Sequence, residues 1–298
     1  MRRTVKATSA GYEAVRPILR SLIQKAVRRG QINLIEEVLL VLARNGDLGW
    51  FKARAPIIVF EECWTQSSSF LVESSELSVL RTVAKTVKNK DAAGLGTLAF
   101  AASEGDMTVF AFALDPLAVK IVAAALKRPD DFFNWALRKC LTEQNALLIR
   151  EARKLFPKAF FSWDKAFVLA SAYLSISQDL ASPLNCSTAV VTECPFWVAV
   201  DRHTVSGKQA LGRVARSMRL SVELLSWIGF YLESAKTNAL TRSQWWAAEK
   251  CWRLAQFGID DNAAGRIWAE AAPEIERAVQ KDVDEIERFL LNNRDLIG

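Results

Sequence analysis

Apolar residues recur every three or four positions over residues 15–27, which is the spacing of one buried face of an α-helix. Basic residues occupy the rest of this helix, and Gly30 is predicted to end it because glycine enters the left-handed region without a Cβ penalty. A second helix starts near Asn33, and a third begins after Asp47 and is expected to kink or restart at Pro56. The buried face of the first helix comprises Val15, Ile18, Leu19, Leu22, Ile23, Ala26 and Val27.

The same helical spacing continues along most of the chain. Glycine and proline are sparse, with 13 and 8 residues, so helix is favoured throughout. In the helix predicted over residues 160–176, Trp163, Phe167, Ala170 and Leu174 share one face. No repeat of fixed length is visible, which disfavours a regular solenoid. The sequence therefore predicts an all-α fold, either a multi-helix bundle or an irregular array of helical pairs.

Two polar stretches, residues 65–76 and 177–195, interrupt the helical pattern. They suggest three consecutive regions: a basic helical unit over 1–65, a helical middle over 66–180, and an aromatic-rich helical part over 196–298. These regions are expected to form one compact unit or two loosely divided domains.

Positive charge is concentrated near the N-terminus. Residues 1–60 hold 11 Lys and Arg against 4 acidic residues, whereas the whole chain has a net charge of +6, so the remainder is close to neutral. Such an excess is the footprint expected for a polyanion partner, and a solvated helix face is the alternative interpretation. The predicted nucleic-acid contacts lie on the first helix, opposite its apolar stripe: Arg16, Arg20, Lys25, Arg28 and Arg29.

Residues 16–64 resemble the start of the C-terminal, collar-like helical domain of clamp-loader-like maintenance-of-genome-stability ATPases. That family of AAA+ proteins includes the Werner-helicase-interacting ATPases. Gln31 and Asn33 stand where the family has acidic residues. The resemblance implies an oligomerising helical collar that works beside an ATPase or another replication protein. The matching positions are Lys25, Arg28, Gly30, Leu42, Ala43, Arg44, Arg54, Glu61 and Glu62.

The only histidine, His203, stands close to Asp201 and Thr204, and this polar cluster invites a catalytic interpretation. A single histidine cannot complete a typical zinc site, and the chain has neither a nucleophile elbow of the GxSxG type nor a Walker A loop. A helix-capping role for the cluster is therefore favoured over catalysis. No metal and no cofactor is predicted.

Five cysteines without a CxxC pair predict reduced thiols, and the N-terminus lacks the apolar segment of a secretory signal. A cytoplasmic protein without a membrane partner is expected, because no apolar run approaches the roughly 20 residues that span a bilayer. The ten tryptophans lie at helical spacing and are predicted to belong to the core, with base stacking as the alternative.

Two hypotheses about function follow. The first is a non-enzymatic accessory protein of DNA replication or repair that binds nucleic acid through the basic N-terminal helix and oligomerises like a clamp-loader collar. The second is an all-α enzyme or a protein-interaction module, binding a host protein or another partner, that uses the cluster from Asp201 to Thr204. A salt-dependent shift of labelled DNA separates the two, since only the first requires it.

Overall fold

The computed structural model describes residues 9–66, 75–177, 191–238 and 243–294. Within these ranges the secondary structure is helical, and the only β-type pairing is an isolated bridge between Cys63 and Asn89. The predicted all-α, multi-helix class is thereby confirmed. The thirteen α-helices are α1 Ser9–Arg29, α2 Ile32–Arg44, α3 Leu48–Cys63, α4 Glu76–Lys85, α5 Asp91–Ser103, α6 Pro116–Lys127, α7 Pro129–Lys139, α8 Glu143–Leu155, α9 Ser162–Ser177, α10 Val205–Ser217, α11 Val222–Gly229, α12 Gln244–Ala255 and α13 Asp261–Arg294.

The helices form two compact units that are interleaved along the chain. Unit 1 consists of Met1–Phe51, Val191–Lys236 and Ile259–Gly298, and unit 2 consists of Lys52–Val190 and Thr237–Gly258. Neither unit coincides with the three consecutive regions predicted from the sequence, because the N-terminal helices share a unit with the C-terminal helix. The predicted polar breaks fall largely on residues 67–74 and 178–190, which lie outside the described residues.

Unit 1 is built around α1 and α13. Helix α1 packs against α2, α13 and a short 3₁₀ turn at Phe196–Ala199, while α10 packs against α11 and α13. All seven residues of the predicted apolar stripe on α1 are buried, so the periodicity identified the correct face.

Unit 2 is built around α5, which packs against α6, α9 and α12. Two glycines inside α5 permit this close packing. A Cβ atom on Gly94 would lie 2.3 Å from the backbone carbonyl carbon of Trp245, and one on Gly96 would lie 2.8 Å from the ring of Phe167. At both positions only glycine leaves room for the neighbouring helix.

Prolines interrupt the helices less than the sequence suggests. Helix α3 continues through Pro56, where a kink or restart was expected, and α13 likewise runs through Pro273. An internal proline costs about 3 kcal/mol, yet Ala271 and Ile275 on either side of Pro273 are both buried, and their burial favours one continuous helix. None of the described helices is both long enough and apolar enough to cross a membrane.

Candidate nucleic-acid interface

The two N-terminal cations of α1 are partly exposed and already paired. Arg16 forms an ion pair with Glu13 at 2.9 Å, one turn away on the same helix. Arg20 donates from Nε to Asp47 Oδ2 at 2.7 Å and from its Nη2 to the other carboxylate oxygen, and its guanidinium lies 4.9 Å from the ring centre of Trp50. Both side chains can still reach solvent, but their charges are largely balanced within unit 1.

Lys25 lies inside unit 1 and is only 3 % exposed. Its ammonium donates to Ser21 Oγ at 2.6 Å and forms an ion pair with Asp201. Burial lowers the pKa of Lys25 because the ammonium loses hydration, and the attraction of Asp201 offsets part of this effect. Lys25 is therefore an internal counter-ion and cannot contact an external phosphate.

Arg28 and Arg29 are also buried, at 4 % and 1 % exposed. Arg28 donates to the carbonyl of Ser234 at 2.9 Å. Arg29 donates to the carbonyl of Glu193 at 2.6 Å and to Glu233, reaching its carbonyl at 2.8 Å and its carboxylate at 2.7 Å. Both arginines thus hold the carbonyls at the end of a π-helical turn, Phe230–Ser234.

The expectation that the α1 cations lie in solvent is therefore wrong for Lys25, Arg28 and Arg29. The apolar stripe shows which side of α1 meets the core, but it does not show how many elements surround the rest of the helix. Chain segments around residues 193, 201 and 233–234 cover the basic side of its C-terminal half. Charged groups enclosed in this way are tolerated because each of the three side chains donates hydrogen bonds to a carboxylate or a carbonyl, although Arg29 Nε is buried without a partner.

The polar cluster at Asp201 starts helix α10. Asp201 accepts from Ser21 Oγ at 3.3 Å and from the backbone N–H of His203 at 2.9 Å, in addition to its pair with Lys25. Burial opposes the ionisation of Asp201, but the combined attraction of Lys25 and His203 outweighs it, so the pKa of Asp201 lies below its ordinary value. Thr204 caps α10, accepting from the N–H of Gly207 at 3.0 Å, which confirms the predicted cap.

His203 itself is exposed, and its ring lies beside Arg202, whose Nε is 3.5 Å from His203 Nε2. Within the described ranges, no group of three His, Cys, Asp or Glu side chains is placed to hold a metal ion. The structure thus brings Asp201, His203 and Thr204 together. The Asp201 carboxylate and the Thr204 hydroxyl are both engaged in structural contacts.

A second set of cations lies on the outer face of α10. Lys208, Arg213 and Arg216 are exposed, and Arg219 follows directly after the helix ends. At about 100° per residue these three helical positions span an arc of about 140°, and they extend about 12 Å along the helix axis. The opposite arc carries the buried residues Ala210, Leu211, Val214 and Ala215, which fix the orientation of the basic face.

These four cations are exposed and lie outside the ion pairs of the described part of the chain. Among the residues that the structure describes, none forms an ion pair with Lys208, Arg213, Arg216 or Arg219. The chain contains no acidic residue from Arg202 to Val222. This stretch of α10 therefore carries four solvent-facing charges without a local counter-ion, and we call Lys208, Arg213, Arg216 and Arg219 the α10 basic face.

Arg219 has an unusual backbone conformation. Its φ is 57°, and it is the only described residue other than glycine with a positive φ. The N–H of Leu220 donates to the carbonyl of Ala215 at 2.8 Å, which closes α10 in the way a C-terminal glycine usually does. A left-handed conformation costs a residue with a Cβ atom about 1–2 kcal/mol, so Arg219 occupies a position that glycine would adopt without strain.

The predicted contacts do not include the α10 basic face, because the sequence carries no signal that singles it out. Residues 202–222 hold five Lys and Arg with no acid, but residues 14–35 hold the same number over 22 acid-free positions. The two runs differ only in the fold, since Lys25, Arg28 and Arg29 are buried and the cations of α10 are exposed.

Comparisons with protein-family models, with curated proteins and with solved structures find no match to this chain. The resemblance of residues 16–64 to a clamp-loader collar stays a prediction. In this structure several of its matching positions, including Lys25, Arg28 and Glu62, are buried within their own unit.

Proposed function

We propose that this protein is a non-enzymatic nucleic-acid-binding accessory protein, and that the α10 basic face is its contact surface for the phosphate backbone. The observation that carries the proposal is the set of four exposed, unpaired cations on an acid-free stretch of 21 residues. The collar resemblance suggests DNA replication or repair as the setting, with duplex DNA as the first ligand to test and with an ATPase or a replication protein as a partner.

A rigid helix favours this kind of contact. Cations that project from one helix face can meet phosphates without the cost of ordering a loop, and each neutralised phosphate releases condensed counter-ions. The charges of α1 cannot contribute in the same way, because Lys25, Arg28 and Arg29 would have to abandon internal partners. The α10 basic face has no such competing contacts among the described residues.

The composition of this face suggests binding without sequence preference. Gln209 is the one amide side chain among its cations, and the exposed arc carries no aromatic ring. Phosphate contacts fix the position of a protein on DNA, whereas base contacts in a groove specify sequence. Affinity is therefore expected to depend on salt and to change little between duplexes of different sequence.

The alternative, an enzyme or interaction module that uses the Asp201 cluster, gains no support from the geometry. Asp201 is occupied by Lys25, and the Thr204 hydroxyl is occupied by the N-terminus of α10. His203 is exposed, but the two groups that could act beside it are engaged in these structural contacts.

The proposal is tested by titrating a fluorescent duplex at low salt and comparing two variants. Replacing Lys208, Arg213 and Arg216 together with Gln should weaken binding at least about tenfold, because three phosphate contacts are lost. The matched control replaces Arg266, Arg277 and Arg288 with Gln, which removes the same charge from exposed positions on the acid-rich helix α13 of unit 1. This control should bind like the parent. Equal losses in both variants, or no binding by the parent, would overturn the proposal.

A further inference from the structure

Three aromatic side chains protrude together from unit 2, between α8 and the first turn of α9. Phe160 is 86 % exposed, Phe161 is 46 % exposed and Trp163 is 51 % exposed. The ring centres of Phe160 and Phe161 lie 4.9 Å apart, and those of Phe161 and Trp163 lie 5.9 Å apart. We call these three residues the aromatic knob. The sequence predicted that Trp163 shares the buried face of α9, and its exposure corrects that prediction.

The base of the knob is firmly held in unit 2. Asp164, the next residue after Trp163, is buried and accepts a hydrogen bond from Arg54 at 2.8 Å. Ala159 is buried just before Phe160, and Trp163 makes an edge contact with Phe100 at 6.2 Å between ring centres. The exposed rings are thus presented by an anchored backbone. Contiguous apolar surface on a well-held element is typical of a contact site.

The arrangement of the rings suits insertion into an apolar medium. Phe161 and Trp163 stack on each other at an interplanar angle of 30°, and Phe160 meets Phe161 edge to face at 88°. Phe160 and Trp163 both contact Phe161, so the rings form one apolar cluster rather than the separate stacking platforms that bind successive bases. A tight cluster of Phe and Trp side chains on a protruding turn instead matches the aromatic residues that enter a membrane interface.

The surroundings of the knob are positive. Lys154 and Lys158 are exposed, and Lys165 lies 5.6 Å from the ring centre of Phe156. Lys154 forms an ion pair with Glu151 on its own helix. Asp164 is the only acidic residue from position 152 to position 178, and it forms an ion pair with Arg54. Basic residues beside an apolar insertion element each contribute about 1 kcal/mol of attraction to anionic lipid.

We propose that unit 2 docks on an anionic lipid surface, with the aromatic knob inserted among the headgroups and Lys158 and its neighbours held against the lipid charge. Docking of this kind needs no membrane-spanning helix, and it departs from the expectation that the protein has no membrane partner. It is independent of the α10 basic face, which belongs to unit 1.

Co-sedimentation of the full chain with vesicles tests this proposal. The parent should bind vesicles of equal parts phosphatidylcholine and phosphatidylserine, and should not bind pure phosphatidylcholine. Replacing Phe160 and Phe161 with Ser should reduce partitioning at least about tenfold, because two rings no longer leave water on docking. Lys158→Gln should reduce it about fivefold. Leu117→Ser is the matched control, since it removes an apolar side chain that is 61 % exposed elsewhere in unit 2, and it should bind normally.

Quenching of tryptophan fluorescence by brominated lipid locates the contact. The parent should be quenched and Trp163→Phe should lose that quenching, while the variant with Gln at Lys208, Arg213 and Arg216 keeps it. The proposal is overturned if the Phe160 and Phe161 variant binds vesicles like the parent, if vesicle binding disappears only with the α10 variant, or if the knob variant loses single-stranded oligonucleotide binding while vesicle binding is unchanged. Circular dichroism confirms that each variant is folded.

Discussion

Lysine and arginine residues of similar sequence context serve opposite purposes in unit 1. Lys25 is buried and neutralises Asp201, whereas Lys208 is exposed and has no partner among the described residues. The difference arises from contacts made far along the chain, since Lys25 and Asp201 are 176 residues apart. Helical periodicity could predict the apolar stripe on α1, but it could not predict that distant segments would enclose the basic flank.

Asp201→Asn should destabilise the protein by about 3–5 kcal/mol, because it leaves the buried ammonium of Lys25 without its counter-ion. The pKa of Asp201 lies below its ordinary value, so its contribution is fully present above about pH 4 and is lost as the pH falls through the lowered pKa of the folded state. Urea unfolding of parent and variant between neutral and acidic pH measures both effects.

His203→Asn is the control for this experiment. Its ring is exposed, and the hydrogen bond to Asp201 comes from the backbone N–H, which the substitution retains. Unfolding free energy should change by less than about 0.5 kcal/mol. A large loss in this variant together with a small loss in Asp201→Asn would show that the cluster is not organised around the ion pair.

Arg219→Gly should separate stability from binding. Glycine adopts the left-handed conformation without strain, so the unfolding free energy should rise by about 0.5–1 kcal/mol. Duplex DNA affinity should fall, because one phosphate contact is removed. Arg219→Lys keeps both the charge and the strain and should resemble the parent in both measurements. A glycine variant that binds DNA normally would remove Arg219 from the interface.

At the scale of the helices, much of the fold could be predicted from local sequence. The stripe on α1, the end of that helix at Gly30 and the cap at Thr204 all match the structure. These features depend on neighbouring residues alone. The continuity of α13 through Pro273 and the π-helical turn after α11 could not be predicted in this way, because burial of distant apolar positions decides them.

Gly94→Ala tests the close packing in unit 2. The new Cβ would lie 2.3 Å from the carbonyl group of Trp245, so α5 and α12 would have to separate, at a cost of about 3 kcal/mol or more. Gly265→Ala is the matched control in another helix interior, where nothing lies within 4 Å of the added atom. It should stabilise the protein by up to about 1 kcal/mol, since alanine is the better helix former. Thermal unfolding that shifts in the same direction for both variants would contradict this packing.

At the scale of the whole molecule, charge along the sequence differs from charge on the surface. In the sequence, the excess of positive charge over residues 1–60 forms a basic segment. In unit 1, Asp201 and Glu233 come from a later part of the chain and form ion pairs with Lys25 and Arg29 of that segment. The α10 cations keep their charge at the surface because they are exposed and no described residue forms an ion pair with them. Two acid-free runs of five cations, residues 14–35 and 202–222, thus differ only through the fold, so the sequence alone could not select the candidate interface.

The dependence of DNA affinity on salt tests the central claim most directly. For the parent, the logarithm of the association constant should fall linearly with the logarithm of salt concentration, with a slope of about −0.9 for each phosphate contacted. Replacing Lys208, Arg213 and Arg216 with Gln should make this slope shallower by about two to three units for every duplex sequence. Replacing Arg266, Arg277 and Arg288 should leave it unchanged. A parent slope near zero, or an α10 variant with the slope of the parent, would contradict the assignment of the α10 basic face.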